Sequence, residues 1–130
     1  MSQEAAVGRR VELRFGRLPR LTANRSYCWQ QESRYKERIR KAGRRMGREH
    51  GVAMWRAKAI VIVHPKTYGR FDPHNWGPTF KSLMDGLVDA GVLPDDNAKH
   101  LIDVSFRAGE RAQDGPRVDV ILEEVLDGAA

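Results

Sequence analysis

A chain of 130 residues with 41% hydrophobic residues is the size of one ordinary domain and can bury a sizeable core. Its formal net charge of +6 hides a division: residues 1–70 carry 18 Lys or Arg against 5 acids, a net of +13, and residues 71–130 carry 5 against 12, a net of −7. A basic half beside an acidic half suits a protein that grips a phosphate backbone around a carboxylate metal site, although ribosomal and chaperone-bound proteins reach the same basicity. No window approaches the roughly 18 apolar residues of a membrane span, and the N-terminus lacks the apolar core of a signal peptide. The single cysteine, Cys28, can form no intramolecular disulfide, which fits a reducing compartment. The expectation is a cytoplasmic protein without a membrane partner, with Cys28 as a structural thiol.

Residues 1–8 are small and polar and are expected to be a flexible N-terminus. A single domain is expected over 9–126, followed by a short tail at 127–130. Val11, Leu13 and Phe15 alternate with Arg10, Glu12 and Arg14, the period of a strand with one buried face. The stretch from Gly16 to Arg25 mixes Gly, Pro and arginines and reads as an irregular basic loop. It serves equally as a solvated connector or as a phosphate-contacting loop.

From about Gln30 to His50 the spacing of Tyr35, Ile39, Ala42 and Met46 predicts a helix with a narrow apolar stripe. Eight of its other residues are Lys or Arg, against Glu32, Glu37 and Glu49. Such a charge run is commonly just a solvated helix face. Here the excess is five, and like charges three or four apart cost a few tenths of a kcal/mol per pair, so the excess points to a polyanion, with DNA backbone contacts at Arg34, Arg38, Arg44 and Arg45. Gly43 and Gly47 each cost up to about 1 kcal/mol relative to Ala and leave room for a bend or an early end.

Arg56 to His64 contains the β-branched run Ile60-Val61-Ile62-Val63, expected of a central strand covered on both faces. Pro65 ends it, and a loop over 66–70 leads to Asp72. Pro78 suits the start of a helix, whose apolar stripe is Phe80, Leu83, Met84, Leu87 and Val88, with Gly91 as its stop. Ile102, Val104 and Phe106 form a third strand. Asp114-Gly115-Pro116 is a turn signal, and Val118, Val120 and Leu122 form a fourth strand, expected to pair with the third as a hairpin. The fold class is α+β: a four-stranded mixed sheet with helices packed on it, in the order β-α-β-α-β-β.

The second helix separates two groups of candidate ligands. Asp72-Pro73-His74-Asn75 precedes it and Pro94-Asp95-Asp96-Asn97 follows it, roughly 20 Å apart along a helix rising 1.5 Å per residue. The two carboxylate groups can meet only if the strand before Asp72 and the strand after Asp96 are neighbours and the connections fold back. Each feature also has an ordinary structural explanation. Asp95-Asp96-Asn97 after a proline is a plain turn, Asp72 before Pro73 is a turn initiator, and Lys81 with Asp85 is an i, i+4 surface pair. His64, His74 and His100 are individually more often structural or exposed than ligands. Trp29, Trp55 and Trp76 are more often core, although Trp76 beside the motif could wedge against a base.

Taken jointly, Asp72, Asn75, Lys81, Asp85-Gly86-Leu87, Gly91 and Asp95-Asp96 resemble the motif of the RusA-type Holliday junction resolvases, in which a strand runs into Asp-x-Asp-Asn, then a lysine, then Asp-Ala/Gly-Leu and a paired Asp-Asp. The motif spans residues 72–96. The first strand, the Leu21-Thr22-Ala23-Asn24-Arg25 segment and the last two strands agree more loosely. Two departures stand out: His74 occupies the place of the family's second loop Asp, and the link Trp76-Gly77-Pro78-Thr79-Phe80 is a few residues longer than in the shortest members.

The resemblance implies a homodimeric, metal-dependent endonuclease that cuts opposed strands of a branched, four-way DNA junction in recombination and repair. Asp72, Lys81 and Asp96 would be catalytic. Asp72 and Asp96 would hold Mg²⁺, with Asp95 an additional ligand, and His74, if it joined them, would shift the preference toward Mn²⁺. Asn24, Arg25, Asn75 and Lys81 would join the α-helical arginines in contacting DNA. The alternative is a non-catalytic basic nucleic-acid-binding module, a degenerate resolvase in which His74 and the longer loop have ended metal binding.

Overall fold

Residues 6–67 and 69–126 are described by the computed structural model of the chain. The expectations for residues 1–5 and for the tail at 127–130 lie outside them. The first strand, β1 (Ala6–Arg14), starts earlier than its alternation suggests, because Ala6 and Val7 pair with Leu126 and Val125 before an irregularity shifts the register between Val7 and Arg10. The other elements are α1 (Trp29–His50), β2 (Ala57–His64), α2 (Gly77–Asp89), β3 (Leu101–Ala108) and β4 (Arg117–Leu126), with a 3₁₀ turn over Pro73–Trp76 leading directly into α2.

The strands form one mixed sheet in the order β1-β4-β2-β3. β4 runs antiparallel to both β1 and β2, and β2 and β3 are parallel. The expected β3–β4 hairpin is therefore not formed. The segment after β3 crosses the end of β2, where Gly109 N–H donates to Val63 O and Ala112 N–H to Pro65 O, each at 2.8 Å or less. This puts β4 on the far side of β2. Burial explains the choice: Val118, Val120, Ile121 and Leu122 are all buried, which only an internal strand achieves, whereas most of β3 is half-exposed, as an edge strand tolerates. β2 is internal, as its β-branched run requires.

One sheet face carries Leu13, Val120, Val61 and Ala59 against Ile39, Phe80, Leu83, Met84 and Leu87 of the helices, in a single core. On the opposite face Ile60 and Ile121 are cross-strand partners and are buried near charged residues, including the Arg10–Glu123 pair at 2.8 Å.

α1 does not end at Gly43 or Gly47; it runs unbroken to His50, and Gly51, with a left-handed φ of 68°, closes it with a hydrogen bond to Gly47 O. The glycines serve the contact between the helices instead. A Cβ at Gly86 would overlap the Arg40 carbonyl oxygen and lie 2.6 Å from Arg44 N, and one at Gly43 would overlap the Leu83 carbonyl oxygen. The opposing atoms are backbone and cannot turn aside. The crossing is locked further by Arg40, whose guanidinium donates to both Asp89 oxygens at 2.7 and 2.8 Å, and by Arg44, at 3.3 Å.

Gly86→Ala is expected to lower stability by about 3 kcal/mol or more, the upper range for overpacking a core, and Tm by roughly 10 °C. Gly16→Ala, where an added Cβ meets nothing within 4 Å, is expected to stay within about 0.5 kcal/mol of wild type. Thermal and urea denaturation of the two variants check both values.

Candidate active site

The sequence demand that β2 and β3 be neighbours is met, and the chain leaving α2 turns back along that helix, which sets Asp96 at Lys81 while the contacts of Asp72 are with His74. Gly91, with φ 83°, reverses the backbone after Ala90, and Val92 N–H bonds back to Leu87 O at 3.0 Å. Residues 92–96 then return along the helix. Asp96 ends beside Lys81, so the two carboxylate groups are not held a helix length apart.

Lys81 is the hub of this cluster. Its ammonium donates to Asp85 Oδ1 at 3.0 Å, one helical turn on, and to Asp96 Oδ2. These bonds, with the Asp96 bond the larger influence, raise the Lys81 pKa, and the same ammonium holds the Asp96 carboxyl below its usual range. Asp95 orients the turn: its Oδ1 accepts Asp96 N–H at 2.7 Å and its Oδ2 accepts from Asn97 Nδ2 at 3.2 Å, while Asn97 Oδ1 caps Lys99 N–H at 3.0 Å. Asp95-Asp96-Asn97 is thus a hydrogen-bonded turn that also sets Asp96 against Lys81.

Asp72 caps the 3₁₀ turn. Its Oδ1 accepts His74 N–H at 3.0 Å and lies 3.1 Å from His74 Nδ1; the backbone bond is the main cause of a lowered Asp72 pKa. The His74 ring also packs on Phe106 of β3, with centroids 5.3 Å apart. Asn75 is half-buried, and its carbonyl accepts Ala23 N–H at 2.8 Å. Thr79 Oγ1 donates to Leu21 O at 2.7 Å, and Tyr27 OH pins the same loop by donating to Arg20 O at 2.9 Å. The 21–25 loop is thus fastened to the turn that carries Asn75, which brings the exposed Asn24 and Arg25 to the same region of the surface as Asp72.

The α1 candidates divide. Arg44 is committed to Asp89, and Arg45 pairs with Glu49 at 3.1 Å on an exposed face. Arg34 and Arg38 are exposed and have no ion-pair partner among the described residues. Two tryptophans depart from the expectation of burial, Trp29 and Trp55 being 74% and 61% exposed, whereas Trp76 meets it at 7% exposed and lies beneath the Arg20 guanidinium, 6.0 Å from the ring centroid. Trp76 is therefore a wall and not a projecting wedge. Cys28 is likewise exposed, at the N-terminus of α1. His64 and His100 are structural: His64 bridges Asp119 and the Glu110 carbonyl, and His100 Nδ1 lies 2.8 Å from Trp55 O.

Sequence reasoning left Asp85 out of the site, although its i, i+4 spacing from Lys81 was visible. The stacking of Arg20 on Trp76 had no sequence signal. No three of the described His, Cys, Asp or Glu side chains are gathered into one metal-holding group. The pair Asp85 and Asp96 nevertheless already embraces a cation, the Lys81 ammonium. Oxygen-only ligation by two carboxylates, with water completing the shell, is what Mg²⁺ accepts. The donor chemistry therefore fits a hard divalent ion.

The Lys81–Asp96 pair carries a pH signature. A lowered Asp96 pKa contributes stability that is present above the ordinary carboxylate value and is lost as pH falls through the folded value. A raised Lys81 pKa contributes stability present below the ordinary lysine value and lost as pH rises through the folded one. The stability difference between wild type and Lys81→Met is expected to be flat between about pH 5 and 9 and to shrink at both extremes, as urea melts across pH will show. No protein-family model matches the chain, and no curated protein matches it.

Proposed function

We propose that the chain is a metal-dependent endonuclease, acting as a cytoplasmic homodimer, that resolves four-way DNA junctions by paired symmetric nicks in recombination and repair. The observation that carries this reading is the convergence of Lys81, Asp85 and Asp96 on one another across a reversed loop. A turn of purely structural value has no need to return along α2 to reach a lysine. The basic first half of the sequence beside a carboxylate-rich second half supports the same reading, as does the docking of the 21–25 loop beside Asn75. Two symmetric cuts require two sites, hence the dimer.

Asp72 and Asp96, with Asp85 beside Asp96, are the residues that would hold Mg²⁺ or Mn²⁺. Bound there, the ion supplies an activated water and neutralises charge developing at phosphorus. The protein's own side chains do the rest. With its raised pKa, Lys81 stays protonated at neutral pH and cannot serve as a general base; it offers a fixed positive charge and N–H donors to a phosphoryl or leaving oxygen. Asp96, held ionised, is an acceptor only. The side-chain amides of Asn24 and Asn75 can donate to non-bridging phosphate oxygens and so fix the strand's register without reading its sequence.

One observation favours the second reading, a non-catalytic nucleic-acid-binding module. Lys81 already occupies Asp85 and Asp96, His74 occupies Asp72, and no three ligands stand together among the described residues. The two readings part on turnover. With a labelled four-way junction and a linear duplex of the same sequence, in Mg²⁺, Mn²⁺ or EDTA, the nuclease reading expects paired metal-dependent nicks in the junction alone. Asp96→Asn is expected to reduce cleavage at least 100-fold while junction binding in EDTA stays within about threefold of wild type, magnitudes in line with loss of one transition-state charge stabiliser. Junction binding without turnover in either metal would establish the module instead.

A further inference from the structure

Three hollows on the surface share walls and form one continuous groove. The first, about 490 Å³, lies between α1 and the segment after β1, with Arg38 and Lys41 on one side and Arg17 and Leu18 on the other. The second, about 500 Å³, reuses Arg17 and Leu18 and continues past Lys66 to Arg20. The third, about 290 Å³, reuses Arg20 and Lys66 and ends against Arg70, Phe71 and Trp76, immediately before Asp72. The groove therefore leads from the middle of α1 across the end of β2 to the first residue of the candidate site.

Its charge is arranged for a polyanion. Arg17, Arg38, Lys41, Lys66 and Arg70 have no ion-pair partner among the described residues, whereas Arg40 and Arg44 of the same helix are spent on Asp89. The unneutralised cations of α1 are thus on the groove side. Arg38 and Arg45, the latter shared with Glu49, are about 10 Å apart along the helix axis, the rise of about three phosphates in one strand. At the far end the hollow is walled by two aromatic residues, Phe71 and Trp76, with the Arg20 guanidinium over the Trp76 ring. Cations that follow a backbone and then an aromatic wall are the elements of single-strand recognition, in which a base stacks on a ring. A base paired within a duplex cannot enter such a hollow.

We infer that this groove seats one nucleic-acid strand and that the hollow lined by Arg20, Phe71 and Trp76 takes a single unpaired base next to Asp72. The inference rests on nucleic acid being the substrate of the proposed site, and it adds how an unpaired nucleotide is selected there.

The test is fluorescence anisotropy in EDTA, using the full chain with a labelled single-stranded oligonucleotide and a hairpin duplex of equal length. The single strand is expected to bind at least tenfold more tightly. Arg17→Glu and Lys66→Glu should each weaken it at least tenfold and lower the salt slope. Lys99→Gln, at the opposite end of the sheet, should change nothing. Phe71→Ala should weaken the single strand by roughly tenfold or more, as for loss of one base stack, and leave the duplex unchanged; Phe71→Leu, which keeps the volume, should do the same, with unchanged melting as the control for folding. Equal affinity for both nucleic acids with no effect of either Phe71 variant overturns the base hollow, and full binding by Arg17→Glu and Lys66→Glu overturns the groove. Because these measurements need no cleavage, a groove that binds as expected in a chain that never cuts junctions overturns only the nuclease reading, whereas junction cleavage that is normal in all four variants overturns only the groove.

Discussion

The structure depends on the backbone contact between α1 and α2. Gly43 and Gly86 allow the two helices to approach until carbonyl and amide groups meet across the interface, and everything on α2 is positioned by that approach. Three consecutive residues, Asp85, Gly86 and Leu87, project about 100° apart around the helix and serve three different surfaces. Asp85 meets Lys81, Gly86 meets α1, and Leu87 enters the core. A short motif that looks like a functional signature therefore contains a functional candidate, a packing requirement and a core residue side by side. Widening the helix contact would move the two charged positions together with the helix.

The same interface changes how the charge of α1 should be counted. Eight cations over one helix suggest a strongly unneutralised surface, yet Arg40 and Arg44 are committed to Asp89, Lys36 lies 3.4 Å from Glu32, and Arg45 pairs with Glu49. Pairs within the exposed face contribute little to stability; their effect is to cancel charge locally. What remains is directional. The cations without a partner lie toward the groove, so the helix is bipolar around its axis, locked by charge to α2 on one side and open to an anion on the other.

The elements of the fold were legible because each has a clean period: two in β1 and β3, and near 3.6 in α1 and α2. The pairing of strands was not. Asp114-Gly115-Pro116 is a convincing turn, but turn chemistry says only that the chain reverses, not which strand it rejoins. The available signal was Ile121, an apolar residue on the face that Asp119 and Glu123 share, which an edge strand would leave more exposed. The site was half legible. Spacing singled out Asp72, Lys81 and Asp96, but a separation measured along a straight helix concealed that Gly91 turns the chain back. Trp29 and Trp55 misled because ring size predicts burial only on average: Trp55 stays largely outside the core, against His100 with centroids 4.6 Å apart, while Trp76 is buried as its size suggests.

Charge at the site couples its two requirements. Asp85 and Asp96 share a single ammonium, that of Lys81, so these three side chains carry a formal charge of −1, and Asp72 adds another negative charge where the groove ends. The groove itself is cationic up to Arg70. On the proposed function, a phosphate drawn along it would meet a favourable field until the last step, where the charges of Asp72, Asp85 and Asp96 outweigh the single Lys81 ammonium. A divalent cation at the carboxylates would remove that opposition, and a phosphate beside it would in turn strengthen the cation's hold. Whatever the first ligand is worth to the second, the second must be worth to the first. If the proposed function holds, a strand lying in the groove without the cation would have its phosphate kept short of Asp96; with the carboxylates neutralised, that phosphate would come within reach of Lys81, whose N–H donors are then free to meet it.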